Sequence, residues 1–175
     1  LVSALYFIVK GSACPMRYAN PGGAGFFTNL QPCWPAIREN LTVFNQDNAN
    51  GKMLIPGELE GFDVAAAVER MLDRPELWWQ AVGLFVTHFS DWPSRWRGAL
   101  GDDAAERRQV HALRSAAENV GAVRLAAAAA RLESALQRRL AGREESISDD
   151  WRDDLMAAYL AAMAAVAGVG PAGNS

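Results

Sequence analysis

One histidine of this 175-residue chain stands on a predicted helix where it could act as a nucleophile. The apolar residues near the centre of that helix recur at spacings of three, four and three: Val110, Leu113, Ala117 and Val120. At about 100° per residue they fall in one sector, and His111 lies roughly 150° from the centre of that sector. The spacing therefore predicts that the His111 side chain faces solvent.

The neighbours of His111 suit the transfer of a phosphoryl group. A solvent-facing imidazole is a competent nucleophile towards phosphorus near neutral pH. Ser115 lies one turn further on, and its small side chain lets a partner's active site come close. Arg107 and Arg114 flank the same region, where their guanidinium groups would offset the charge of a transferring phosphoryl group. The alternative is that His111 is an ordinary surface histidine, because arginines near such a residue are commonplace.

Other kinds of site are not indicated by the sequence. No second histidine or carboxylate is placed for a hydrolytic triad with His111, and we interpret His88 as a structural or surface residue. Cys14 and Cys33 have no histidine nearby, whereas zinc needs three or four converging ligands, so we expect no metal site. Reduced cysteines are the default, and a disulfide stays open for a secreted chain. The net charge of −3 gives no electrostatic reason to expect nucleic acid or an anionic membrane as partner.

The elements that must position His111 begin after a change in composition near residues 52–63. Upstream lie six Asn and scattered Gly, Pro and aromatic residues without periodicity; downstream the chain is rich in Ala, Leu, Arg and Glu and contains no Lys. The second composition favours helices. We assign no fold to residues 1–53, interpret 54–62 as a linker, and place a helical domain at 63–167 and a mobile tail at 168–175.

The chain opens on Leu1 rather than Met, so we expect it to be a piece of a longer protein. Its first nine residues are apolar and end at Lys10. A membrane span needs roughly 20 residues, so this segment is too short to cross a bilayer. We interpret it as a buried strand, with the end of a cleaved signal or membrane segment as the alternative.

Five helical stretches are predicted downstream, and the first two precede the histidine helix. Asp63 is a good N-cap for a short helix to about Leu72, and Pro75 suits the first turn of the next. Large apolar side chains then recur at spacings of three and four: Trp78, Val82, Phe85, Phe89, Trp92 and Trp96. We interpret this stripe as core rather than as a ligand-binding box. Pro93 interrupts the stripe and predicts a kink or break near residues 89–92, since a mid-helix proline costs about 3 kcal/mol.

The remaining helices complete a bundle. Residues 101–103 should end the aromatic helix and cap the histidine helix, which runs to about Asn119. A tight break at 120–122 precedes a fourth helix, and Ser146 or Ser148 can cap the last. Helices joined by short loops are antiparallel neighbours. The sequence therefore predicts an all-α fold, an up-down four-helix bundle with a short preceding N-terminal helix.

The twelve residues from His111 read His-Ala-Leu-Arg-Ser-Ala-Ala-Glu-Asn-Val-Gly-Ala. They resemble the signature of histidine-phosphotransfer (HPt) domains, which runs approximately His-x-Leu-Lys-Gly-Ser-Ala-x-Asn-Leu-Gly-Ala. The resemblance covers about residues 54–167, and Pro56-Gly57 followed by residues 62–66 looks like the start of an HPt domain attached to a bacterial hybrid sensor kinase. It implies that His111 accepts a phosphoryl group from a receiver-domain aspartate and passes it to another receiver domain.

The resemblance also implies expectations about catalytic activity, cofactors, partner proteins and localisation. An HPt domain is a phosphocarrier without its own ATP site, so we expect no enzyme and no cofactor, with magnesium on the partner receiver domain. The expected partners are response-regulator receiver domains and a histidine kinase of the same or another chain. We expect a monomeric module in the cytoplasm, either free-standing or at the C-terminal end of an inner-membrane sensor kinase.

Site residues carry over from the family with two departures. Arg114 occupies the position of the family's lysine and is expected to stabilise the phosphoryl group, while Arg107, Ser115 and Glu118 are expected to face the receiver domain. Ser115 replaces the usual glycine and Ala116 the usual serine, which leaves transfer rate and partner choice open. Two rival hypotheses remain, a bundle that docks a receiver domain without carrying phosphate and a purely structural helical domain.

Overall fold

The computed structural model describes residues 6–9, 12–15, 55–143 and 146–169. The chain divides into two compact units, residues 1–51 and 52–175. In the first unit, strands β1 (Tyr6–Val9) and β2 (Ser12–Pro15) pair antiparallel, with Phe7 opposite Cys14. A strand is thus present in the apolar opening, but its burial lies outside what is described, as does the predicted tail from residue 170 onward.

The described part of the second unit is all-α and contains six helices. They are α1 (Val64–Arg70), α2 (Pro75–His88), α3 (Trp92–Ala99), α4 (Asp103–Val120), α5 (Val123–Leu140) and α6 (Asp149–Gly168). There is one more than predicted because the aromatic stretch is divided in two. Among the described residues, no helix combines the length and the apolar character that crossing a bilayer requires.

The division of the aromatic stretch follows from Pro93. Helix α2 ends at His88, and the Phe89 N–H still bonds to the Phe85 carbonyl. Helix α3 then begins at Trp92, so that Pro93 lies in its first turn, where a missing N–H leaves no hydrogen bond unmade. The predicted break near residues 89–92 is confirmed.

Polar side chains cap the helices at the predicted positions. The Asp63 carboxylate accepts the Ala66 N–H at 3.0 Å, and the Asp102 carboxylate accepts two amides in the first turn of α4. Ser148, rather than Ser146, caps α6. These side chains accept hydrogen bonds from N–H groups that have no partner within the helix.

In the segment predicted as a linker, residues 54–62, the side chain of Leu59 is buried.

Cross-helix ion pairs show the up-down arrangement. Arg139 near the end of α5 pairs with Asp103 at the start of α4, so these helices run antiparallel. Arg152 near the start of α6 donates to both oxygens of Glu106, at 2.8 and 2.9 Å, which places α6 antiparallel to α5. Glu106 is fully buried and also accepts from the Trp96 indole, so this carboxylate joins α3, α4 and α6. The hydrogen bond to Glu106 raises the pKa of Arg152.

The aromatic stripe forms the core, as predicted. Trp78, Trp92 and Trp96 are essentially inaccessible to solvent, together with Tyr159 of α6. Burial of each such side chain contributes roughly 1.5–3 kcal/mol. Their polar atoms have partners, which buried groups require. The Trp78 indole N–H donates to the Val120 carbonyl at 2.9 Å, the Trp92 indole N–H to the Gln109 carbonyl at 3.1 Å, and the Tyr159 hydroxyl to the Phe89 carbonyl at 2.7 Å.

Candidate functional site

His111 lies on the outer face of α4, with 62% of its side chain exposed. The four apolar residues that defined the opposite sector, Val110, Leu113, Ala117 and Val120, are all buried. The prediction that His111 faces solvent is therefore confirmed, and the helix delivers the imidazole to the surface because its apolar face packs inward.

The structure gives His111 a carboxylate partner that the sequence did not predict. The Nδ1 atom of His111 is 2.8 Å from Oε1 of Glu133, which reaches across from α5. The Glu133 side chain is only 7% exposed. From the sequence, no carboxylate is predicted to form a triad with His111, whereas Glu133 lies within hydrogen-bond distance of its ring. A signal existed, since Glu133 lies four residues after the buried Ala129 and three before the buried Leu136, on a face where a carboxylate needs a partner.

Arg114 lies beside the histidine but is already paired. Its Nε donates to Glu118 Oε1 at 2.8 Å, and its Nη1 donates to Glu133 Oε2 at 3.3 Å. The hydrogen bond to Glu118 and then that to Glu133 raise the pKa of Arg114. His111, Glu133, Arg114 and Glu118 thus form one hydrogen-bonded chain, which we call the His111 network, in which acidic and basic groups alternate.

The other predicted site residues surround the network without all joining it. Arg107 and Ser115 are half-buried and lie one turn to either side of His111 on α4, and within the part of the chain that the structure describes neither is hydrogen-bonded to the imidazole. Glu118 is exposed, and its backbone carbonyl accepts from the Arg70 guanidinium of α1 at 2.9 Å. The end of α1 is therefore tied to the same face.

The pairing with Glu133 determines what the imidazole can do. A carboxylate accepts hydrogen bonds, so Nδ1 of His111 carries the proton and Nε2 keeps the free lone pair. This tautomer is assigned from the hydrogen bond. Arg114 occupies the second oxygen of Glu133 as expected of an ionised carboxylate. In this tautomer the site presents one ring nitrogen with a free lone pair, on an exposed imidazole held by Glu133.

Two further features of the surroundings of His111 concern metal ligands and hydroxyl groups. Over residues 55–143 and 146–169, no three His, Cys, Asp or Glu side chains converge to hold a metal ion. Within the same ranges, the His111 ring has a hydrogen bond to Glu133 and none to a serine or threonine hydroxyl.

Comparison with known proteins yields one match. The family model described as the Hpt domain matches residues 92–166, which run from the start of α3 into the last turns of α6. The matched region contains all four residues of the His111 network. No curated protein and no solved structure matched the sequence.

Proposed function

Because residues 92–166 form an Hpt domain, we propose that this chain is a phosphorelay intermediate that carries the phosphoryl group on His111. Hpt domains transfer phosphoryl groups through a histidine in two-component signalling and have no ATP site of their own. The observation that supports His111 is its exposed imidazole, held through Nδ1 by Glu133. The proposed donor and acceptor are aspartates of two receiver domains.

The proposed transfer uses the free nitrogen of the ring. The Nε2 lone pair attacks the phosphorus of a receiver aspartyl phosphate, the Nε2–P bond forms, and the P–O bond breaks to release the aspartate. Positive charge develops on the imidazole in this step, and Glu133 lies against the Nδ1 proton that shares it. Glu133 acts as a positioning residue, since it holds the ring and its tautomer without touching the phosphoryl group.

Arg114 is proposed to stabilise the phosphoryl group, although two carboxylates already pair with its guanidinium. Its guanidinium is held between Glu118 and Glu133, so its charge is partly offset before any phosphate arrives. The Glu118 contact is exposed and therefore weak, whereas Glu133 is buried. We propose that Arg114 keeps Glu133 and exchanges Glu118 for the phosphoryl oxygens.

The receiver domain is proposed to dock on the exposed face of α4. Arg107, Ser115 and Glu118 share that face with His111. The half-buried Ser115 is bulkier than the glycine of the family pattern, which narrows the approach to His111. The proposed module comprises residues 63–167, with 54–62 as a linker, and acts with a histidine kinase of the same or another chain.

Transfer from a phosphorylated receiver domain tests the proposal. The parent chain and the His88→Gln variant should both take up label, because His88 lies at the end of α2 and not on the histidine helix α4. The His111→Gln variant should take up none. Equal labelling of His111→Gln and the parent would refute the proposal. Receiver binding without acid-labile label on the parent would support the docking-only hypothesis instead.

A further inference from the structure

We infer that Glu133 keeps the Nδ1 proton on the ring of phosphorylated His111, so that the ring leaves as neutral imidazole and the phosphoryl group departs faster than from a phosphohistidine without this contact. The inference rests on the proposed function of His111. It assigns Glu133 a role in the outgoing step and in the lifetime of the carrier.

The chemistry of the outgoing step explains why this proton matters. When the phosphoryl group leaves, the N–P bond breaks and its electron pair returns to Nε2, while an oxygen of the receiver aspartate or of water bonds to phosphorus. A ring that carries the Nδ1 proton leaves as neutral imidazole, whereas a ring that has lost this proton must leave as an anion. The protonated phosphorylated ring is therefore the reactive species, and whatever retains its proton speeds departure.

The geometry places the retaining group on the correct atom. Glu133 Oε1 is 2.8 Å from Nδ1, and the carboxylate is almost fully buried, so water competes poorly for this hydrogen bond. Phosphorylation at Nε2 leaves this contact in place, because the two nitrogens are on opposite sides of the ring. The protonated ring then forms an ion pair with Glu133.

The remaining charged groups near the ring leave Glu133 as its hydrogen-bond partner. Arg114 donates to the other oxygen of Glu133, which holds the carboxylate in place and lowers its own affinity for the proton, and Arg107, one turn away on α4, is a further cation on this face. Glu118 is the next group along the His111 network and pairs with Arg114 rather than with the ring. Arg70 of α1 bonds to the backbone of Glu118 and lies beyond it. Among the described residues, Glu133 is thus the acidic group in contact with the imidazole.

The test uses a chain in which His111 is the single histidine, since the sequence contains two. The full chain with His88→Gln is labelled with potassium phosphoramidate, whose P–N bond breaks to release ammonia as the Nε2–P bond forms. Phosphorus-31 NMR follows the decay of the phosphohistidine between about pH 5 and pH 9. The same decay is measured for a chain that carries His88→Gln and Glu133→Gln. The matched control carries His88→Gln and Glu76→Gln, since Glu76 is an exposed carboxylate on α2.

At neutral and mildly alkaline pH, the chain with Glu133 should lose its phosphoryl group several-fold faster than the Glu133→Gln chain, because the Glu133→Gln ring lacks the carboxylate that holds the Nδ1 proton. The Glu76→Gln control should match the former. Coincident profiles, faster decay without Glu133, or failure of phosphoramidate to label His111 would each overturn the inference. If Glu133→Gln does not fold, phosphorylated His88 in the His111→Gln chain serves as the exposed reference, and the inference predicts the same offset from it.

The outcome separates this inference from the proposed function. If the profiles differ as expected but no phosphorylated receiver domain labels His111, the phosphorelay proposal fails and the role of Glu133 stands. If a receiver domain labels His111 and the two profiles coincide, the phosphorelay proposal stands and the role of Glu133 is wrong.

Discussion

Replacing Gly121 by alanine should destabilise the bundle far more than the same replacement at Gly101. Both glycines have a left-handed backbone, with φ of 81° and 94° respectively. An alanine in that conformation costs roughly 1–2 kcal/mol at either position. The two sites differ in their surroundings, because a Cβ at Gly101 would meet no atom within 4 Å, whereas one at Gly121 would lie 2.6 Å from the Asp63 carbonyl oxygen.

The extra cost at Gly121 comes from the backbone that must move. The Asp63 N–H bonds to the Gly121 carbonyl at 2.8 Å, and the Asp63 carbonyl accepts the Ala67 N–H at 3.1 Å. Relief of the clash weakens both hydrogen bonds, each worth about 1 kcal/mol. We therefore expect Gly121→Ala to lower the free energy of unfolding by roughly 3–4 kcal/mol, against roughly 1–2 kcal/mol for Gly101→Ala.

Urea-induced unfolding followed by circular dichroism measures both values. Gly98→Ala is a further control, because Gly98 lies within α3, has no neighbour within 4 Å of an added Cβ, and should gain stability on substitution. If Gly121→Ala is no more destabilising than Gly101→Ala, the close approach of α1 to the α4–α5 turn does not hold in solution and the reasoning is refuted.

Three further predictions concern two ion pairs and the side chain of Ser115. Arg152→Met leaves the fully buried Glu106 carboxylate with the Trp96 indole but without its cationic partner and should cost roughly 3–5 kcal/mol in urea unfolding, and a loss below about 1 kcal/mol would contradict this. The hydrogen bond from Arg139 lowers the pKa of Asp103, so the pair stabilises the fold above the ordinary carboxyl pKa, and this contribution is lost as the pH falls through the lowered value. Arg139→Gln should therefore be less stable than the parent at neutral pH and converge with it in acid, and a constant difference down to about pH 2 would refute the assignment. Ser115→Gly should speed phosphoryl transfer from a receiver domain, measured as an initial rate, while costing roughly 0.5–1 kcal/mol of helix stability, and an unchanged rate would mean that Ser115 does not narrow the approach.

The features that sequence reasoning predicted well depend on local interactions. The caps at Asp63 and Asp102 and the break at Pro93 are decided by residues within one or two turns of each other. The exposure of His111 follows from periodicity along its own helix. Each of these could be derived without knowing which helix packs against which.

The pairing of His111 with Glu133 could not be derived in that way. It depends on the register between α4 and α5, which is set by how their apolar faces interlock across the α4–α5 turn. The same register places Arg114 against Glu133 and leaves Arg107 outside the network. A carboxylate on the inner face of α5 was visible in the sequence, but its partner was not.

The two indole hydrogen bonds to α4 have a consequence for how a signal would pass through this domain. Trp92 holds the Gln109 carbonyl and Trp78 holds the Val120 carbonyl, one on either side of His111 along the helix. Both hydrogen bonds oppose sliding or rotation of α4 when a group is attached to its outer face. We expect the amide hydrogens of α4 to exchange equally slowly before and after phosphorylation of His111. Phosphorylation would then add a group to the surface of the domain without changing its backbone conformation.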